Sequence, residues 1–391
     1  MGIKILLIKK EEDYMKICIL SMQHVQNFGS LLQSYALKNM IESLGHKVSF
    51  IDIKKNNEDY ELLEGNLLNI NCNKKIDNNT FSKFSKFDKY VINRVIIKRK
   101  ANEQDLQFNT FRNKVLGVSQ KDNIDYYDYC VIGSDEVFNC LTKSKWGFTS
   151  QLFGNVEQAK NVITYAASCG ATTYEKIPEP VKNKISETFN SVKAISVRDG
   201  NTYNFVNKLA SGKEVSINLD PVVVKDFSEE LKGIDISNKV PNKYCIVYSY
   251  YNRINKKEEI NAIKRFCKKN NLKLITVGAP QMWIKNHVVL TPFEVLKAFK
   301  CADFIITDTF HGTIFSAKYS KKFATFTRSS NYNKLSDLVN RLQIQDHLMT
   351  SLNDLDRIYE IEHNKLIIDS IEKEQYKKTI SYLSKNLISE K

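Results

Sequence analysis

The chain lacks most of the short signatures by which enzyme classes are recognised. It has no HExxH, no GxSxG and no GxxxxGK followed by Ser or Thr, so zinc-peptidase, α/β-hydrolase and P-loop readings are without their key residues. No GxGxxG follows a strand, so no dinucleotide is expected. Eight cysteines, at positions 18, 72, 130, 140, 169, 245, 267 and 301, never stand closer than ten residues apart. That excludes a CxxC metal knuckle or redox pair, suits a reducing, cytoplasmic compartment, and no metal site is signalled elsewhere. No apolar run approaches the roughly 20 residues that a membrane-spanning helix needs. The opening "MGIKILLIKK" is too short and lacks a cleavage site for a secretory signal, and its Leu6 stands where a myristoylation signal has Ser or Thr. Nor is there an internal repeat at solenoid periods.

Hydrophobic residues make up 42% of the chain and charged ones 26%, the balance of a globular protein, and 391 residues suggest two domains. Fifty-eight basic residues outnumber 44 acidic ones, for a net charge of +14. Such an excess favours anionic partners, whether phosphorylated substrates or acidic lipid, or is simply a solvated basic surface. Nucleic acid would rest on charge alone and is not expected. No feature speaks to oligomeric state.

Strand and helix patterns alternate along the chain. "KICILSM" (16–22) reads as a strand, "SLLQSYALKNMIESLG" (30–45) as a helix capped by Ser30 and ended by Gly45, and "HKVSFIDI" (46–53) as a second strand. This strand-helix-strand unit predicts a parallel α/β sheet. Residues 54–80, rich in Asn and Lys, read as a loop. "FSKFSKFDKYVINRVIIKRK" (81–100) carries seven basic residues against one acidic and is either a solvated helix face or a peripheral contact with the inner face of a membrane. Further strands are expected at 127–132, 161–167, 192–197 and 217–224. After a polar linker at 226–243, alternation restarts with strands at 244–250, 272–278, 303–308 and 322–326 and helices at 255–270, 292–301 and 312–319. The expected organisation is an N-terminal extension (1–14), an N-terminal α/β domain (15–225), the linker, a C-terminal α/β domain (244–352) and a helical tail (353–391). Two Rossmann-like, doubly wound domains would face a cleft.

Ligands of open α/β sheets bind beyond the carboxyl ends of strands. The polar residues there are Asn27 and Gly29, Gly133 to Asp135, Ser168, Arg198, Arg253, Gly278, and Asp308 to Gly312. His311 follows a strand and precedes a helix, with Thr309 and Thr313 nearby. It is either a structural histidine or a proton donor beside an anion held at a helix start. Arg198 offers a planar fork for a carboxylate or phosphate, or makes an ion pair with Asp199 or a neighbour. Asp135 caps a helix or deprotonates a hydroxyl. Asn27 and Gly29 allow a ligand close to the backbone.

Taken in order, "NFGSLLQSYALKNMIESLGHKVSFI", "VIGSDEVF", "TYAASCG", "ISVRD", "LDPVVV" and "FEVLKAFKCADFIITDTFHGTIFSAKYSKKF" resemble the polysaccharide pyruvyl transferase family over residues 16–345. The resemblance implies a GT-B-like architecture and transfer of pyruvate from phosphoenolpyruvate to a saccharide as a cyclic ketal. The acceptor would be an exopolysaccharide, capsule or cell-wall glycan, finished or lipid-linked, and no cofactor is needed beyond the donor. It assigns His311, Asp135 and Arg198 to catalysis, Arg198, Thr309, His311, Gly312 and Thr313 to the donor, and Asn27, Gly29, Ser134, Asp135 and Ser168 to the acceptor. Phe28, Ser30, Glu136, Phe138 and Asp199 depart from the family's usual Tyr, Ala, Gln, Trp and Glu. These departures bear on acceptor identity more than on reaction class. A GT-B glycosyltransferase using a nucleotide sugar, or a non-catalytic glycan-binding protein, would use the same scaffold.

Overall fold

In a computed structural model, residues 14–71, 87–141, 144, 146–328 and 332–389 are described. The expected N-terminal extension, except Tyr14, lies outside them, as do the end of the expected loop (72–80) and the first part of the basic segment (81–86).

Strands β1 (Lys16–Leu20), β2 (Lys47–Phe50), β3 (Tyr127–Asp135), β4 (Ala159–Ala167), β5 (Val192–Val197) and β6 (Val215–Ile217) form a parallel sheet in the order β2-β1-β3-β4-β5-β6. Strands β7 (Tyr244–Tyr248), β8 (Lys273–Val277), β9 (His287–Val288), β10 (Phe304–Thr307), β11 (Phe323–Phe326) and β12 (Leu348–Met349) form a second, in the order β12-β11-β10-β7-β8-β9. All pairings are parallel, with Ile17 opposite Tyr129 in the first sheet and Phe304 opposite Cys245 in the second. Every residue of β7 and β10 is buried, as strands covered by helices on both faces require.

The helices of the first half are α1 (Phe28–Ser43), α2 (Asn57–Asn71), α3 (Phe87–Phe111), α4 (Glu179–Phe189), α5 (Gly200–Leu209) and the single turn α6 (Pro221–Val224). Those of the second are α7 (Lys257–Lys269), α8 (Pro292–Cys301), α9 (Phe310–Tyr319), α10 (Tyr332–Arg341), α11 (Asp354–Tyr359) and α12 (Lys365–Asn386). The chain is thus two Rossmann-like, doubly wound units, as the alternation predicted.

Local expectations fail where a side chain found a better partner. Helix α1 begins two residues early because Asn27, not Ser30, is its cap: Asn27 Oδ1 accepts the Ser30 N–H at 2.7 Å. The strand expected at 217–224 ends at Ile217. Pro221 suits a first helical turn, and Asp220 accepts the Val222 N–H at 3.0 Å. The polar stretch after residue 54 contains α2, whose buried Leu63 and Asp59 hold it to the body, Asp59 accepting the Ser150 N–H at 2.7 Å.

Two helices cross between the units. Described side chains of α3 reach the second unit, where Lys100 Nζ donates to His287 O at 2.6 Å and Gln104 Nε2 to Leu290 O at 2.8 Å, while Phe108 packs on Phe28 of α1. In return α12 packs on the first sheet, where Tyr382 donates to Thr164 O at 2.8 Å and Thr379 shares a 2.8 Å hydrogen bond with Tyr165. The stretch read as a linker is no free tether, since its Phe227 and Ile236 are buried. No helix among the described residues is long and apolar enough to cross a membrane.

One feature of the second unit makes its stability depend on pH. His347 lies flat on Phe323 at 4.1 Å between ring centroids, with His363 edge-on to both at 5.2 Å. Burial pulls the His347 imidazole down to about 4 and lowers His363 as well. The unfolded chain therefore binds more protons below its ordinary histidine value of about 6.5, and stability is lost as pH falls. Between pH 7 and 5 His347 should cost roughly 2 kcal/mol of unfolding free energy, read from urea titrations at both pH values. His347→Gln should flatten that loss; an equal loss in the variant would place its origin elsewhere.

Candidate active site

Each sheet has a topological switch point, between β1 and β3 in the first and between β7 and β10 in the second. At such points the connections diverge to opposite sides and leave a crevice beyond the strand ends. Asp135 and Glu136 leave β3, Tyr250 follows β7, and Asp308 to His311 follow β10, so the two crevices open on each other. Between them is a cavity of about 850 Å³. Glu136, Asn139, Gly170, Asp199 and Asn201 line it from the first unit, and Tyr250, Arg253, Thr309, Phe310 and Lys334 from the second.

Behind this cavity lies a chain of charge. Asp220, fully buried, accepts from Arg198 Nη1 at 2.8 Å and stands 3.4 Å from His311 Nε2. Asp135 Oδ1 is 3.7 Å from the same Arg198 nitrogen, and its other oxygen accepts the Ser30 hydroxyl at 2.8 Å. Burial would raise the Asp220 carboxyl, but the opposing pull of His311, Arg198 and the Val222 N–H holds it well below the usual carboxylate range. Asp220 is therefore a fixed negative charge between two cations or potential cations. Arg198 is 1% exposed, with its guanidinium 4.1 Å from the centre of the Phe310 ring. Only its Nη1 is taken. The Nε and Nη2 edge, the pair that grips a carboxylate or phosphate with two parallel bonds, has no acceptor among the described residues, nor does His311 Nε2 have a well-aligned one.

At the cavity wall Lys334 of α10 pairs with Glu136 of the other unit and stands 5.0 Å over the same Phe310 ring. The Lys334 charge, aided by Asn139 and against burial, pulls Glu136 down to about 2. In turn Lys334 is held above the ordinary lysine value, burial being outweighed by Glu136. Two helix starts face the cavity as well: Gly200 of α5 and Phe310 of α9 both line it. The first N–H groups of a helix have no partner within it, and its dipole favours an anion there.

The sequence-predicted residues divide into three groups. Asp135, Arg198 and His311 do meet, through Asp220. Thr309 lines the cavity and caps α9, accepting the Gly312 N–H at 3.0 Å, so His311 lies in the helix's first turn, not ahead of it. The others serve packing. Gly29 is where α1 meets His311, since a Cβ there would stand 2.2 Å from His311 Nδ1. At Gly312 it would stand 2.1 Å from Thr307 Oγ1. Thr313 donates to Thr309 O at 2.9 Å, Ser168 to Asp199 at 2.7 Å and Ser134 to Ala166 O at 3.0 Å, all three buried, and Asn27 caps α1. Asp199 caps α5, accepting the Thr202 N–H at 2.8 Å, and the ion pair expected of Arg198 is made with its other neighbour Asp220. Sequence reasoning missed Asp220, although it quoted "LDPVVV", and missed Lys334 and Tyr250, which belong to no motif.

A family model for polysaccharide pyruvyl transferases matches residues 27–330. The chain belongs to the polysaccharide pyruvyl transferase family. Membership makes it a transferase with a saccharide acceptor. No curated protein matches it. Solved structures similar to this family member include the Methanocaldococcus jannaschii UDP-GlcNAc 2-epimerase in complex with UDP-GlcNAc and UDP, at 11% identity, covering 94% of this chain and 100% of that one, with a TM-score of 0.47. Another is S. aureus MnaA with UDP, at 14% identity, 96% and 98% coverage and a TM-score of 0.45. A third is the Streptomyces sp. SF2575 glycosyltransferase SsfS6 complexed with thymidine diphosphate, at 10% identity, 95% and 100% coverage and a TM-score of 0.40. Likeness at this level decides neither donor nor acceptor; the GT-B-like arrangement stands on the two facing sheets themselves.

Proposed function

We propose that the chain transfers pyruvate from phosphoenolpyruvate to two hydroxyls of a sugar in an exopolysaccharide, capsule or cell-wall glycan, forming a cyclic ketal and releasing phosphate. The observation that carries the donor assignment is the Nε and Nη2 edge of Arg198, buried and without an acceptor among the described residues, behind the cavity that Phe310 and Lys334 line. Phosphoenolpyruvate has a planar carboxylate and a phosphate, both suited to that edge and to the starts of α5 and α9, with Lys334 and Arg253 at the wall supplying further charge.

Two hydroxyls lose protons, the donor's methylene gains one to become a methyl, the bond from C2 to the phosphate oxygen breaks, and the departing phosphate takes the second proton. No electrons change hands, so no redox cofactor enters. His311, its imidazolium supported by Asp220, donates the proton to the methylene. Asp135, held by Ser30, takes the proton of the attacking hydroxyl. Arg198 and Lys334 stabilise charge on the departing phosphate. The test is phosphate release from phosphoenolpyruvate with a panel of saccharides, run beside nucleotide sugars, with mass spectrometry of the product. A mass gain of one pyruvate ketal is expected; release of nucleoside diphosphate instead would overturn the reading.

A further inference from the structure

Tyr250 has no part in the proton transfers, yet it lines the cavity between the two units. It follows β7 at the switch point and is 50% exposed, an unusual setting for a tyrosine inside a cleft. The turn that carries it is fixed from below. Buried Gln281 donates to Tyr250 O at 2.8 Å, Arg253 N donates to the same oxygen at 3.1 Å, and neighbouring Ser249 is tied to Asp308 by a 2.6 Å hydrogen bond. Arg253 stands over its ring at 5.4 Å. The ring is thus pre-set, so a ligand using it loses little in ordering it.

The first unit contributes no bulky side chain at Gly170 and Ala171. Gly170 has φ +58°, and a Cβ there would come within 2.6 Å of Glu136 Oε2 and 2.7 Å of Asn139 Nδ2. One wall is therefore an aromatic ring, while the other is bare backbone flanked by Asn139, Thr173 and Asn204. A slot of aromatic face and polar edges suits a pyranose, whose ring carbons present an apolar face of C–H groups and whose rim carries hydroxyls. It does not suit a small trianion, which is better served by the cations and helix starts beyond Phe310.

We infer that Tyr250 is the platform on which the acceptor pyranose stacks, a specificity-determining residue that positions the sugar hydroxyls over Asp135. The assignment rests on the proposed transfer from phosphoenolpyruvate. It concerns the ring and not the hydroxyl, so Tyr250→Phe is the control for Tyr250→Ala.

The experiment uses the full chain, phosphoenolpyruvate, and the best acceptor for the parent protein among methyl glycopyranosides of glucose, galactose, mannose and N-acetylmannosamine. Tyr250→Ala should raise KM for that glycoside about tenfold or more, with KM for phosphoenolpyruvate within about twofold of the parent. Tyr250→Phe should stay close to the parent. Saturation-transfer NMR of the same glycoside without donor should show the ring C–H signals weakened in Tyr250→Ala alone. A rise in KM for phosphoenolpyruvate with the glycoside unaffected would place Tyr250 on the donor side. Equal damage from Phe and Ala would make the hydroxyl the working group. Either result overturns the platform. Absence of transfer by the parent protein is a different result, which removes the proposed reaction while the NMR comparison still reports on sugar stacking.

Discussion

His311→Ala is expected to lower pyruvyl transfer at least about a hundredfold, equivalent to roughly 2.7 kcal/mol of barrier, with the fold intact. The size follows from position. Among the described residues, His311 is the titratable group that sits in the first turn of α9, touches α1 at Gly29 and stands 3.4 Å from a carboxylate fixed in its ionised form. An alanine removes the proton and leaves Asp220 facing a hole. Imidazole rescue and the split between kcat and KM separate the two functions considered for His311. If it gives the proton, imidazole added to the alanine variant should restore part of the rate. If it only balances the donor's charge, KM for phosphoenolpyruvate should rise while kcat holds. Near-normal phosphate release by a well-folded variant would remove His311 from the chemistry altogether.

The second large effect is on stability. Asp220→Asn should weaken the fold by about 3–5 kcal/mol, because it leaves the Arg198 guanidinium charged, sealed from water and without the negative charge it meets at 2.8 Å. Activity should fall with it, since Asp220 also faces His311. Asp220→Asn combined with Arg198→Met removes both charges and fills similar space, and this double variant should regain most of the lost stability and none of the activity. Urea unfolding of parent, single and double variants gives the comparison. A single variant as stable as the parent would show that Asp220 is not the counter-charge the geometry makes it.

The sequence reading succeeded where a motif could be read locally. Alternating apolar runs and helical patterns located nine strands, touched β6 only at Ile217, and gave the parallel character of the sheets, since a strand buried on two faces is apolar throughout. It failed at β9 and β12, each two residues long, which exist only because a neighbouring edge was there to pair with. Ser30 was assigned the cap of α1 because serine suits a cap. Asn27 took that place, and the Ser30 hydroxyl was freed for Asp135, 105 residues away. The sequence reads Gly29 as a place where a ligand comes close to the backbone and Gly312 as part of the donor site. What approaches them is a histidine and a threonine of the protein itself.

By itself the sequence determined the class of fold, the family and the identity of three residues that meet in one charged cluster, because these depend on residue type and order. It could not show that Asp220 joins them. A carboxylate before Pro-Val-Val-Val lies in a stretch that reads as a strand, and its partners come from the residue after β5 and from α9. Nor could it show that Lys334 crosses to Glu136, or that Tyr250 and Gly170 line one cavity, since each pairing spans two units with separate sheets. Those contacts exist because α3 and α12 cross over and hold the two switch points face to face, and only the tertiary structure decides that.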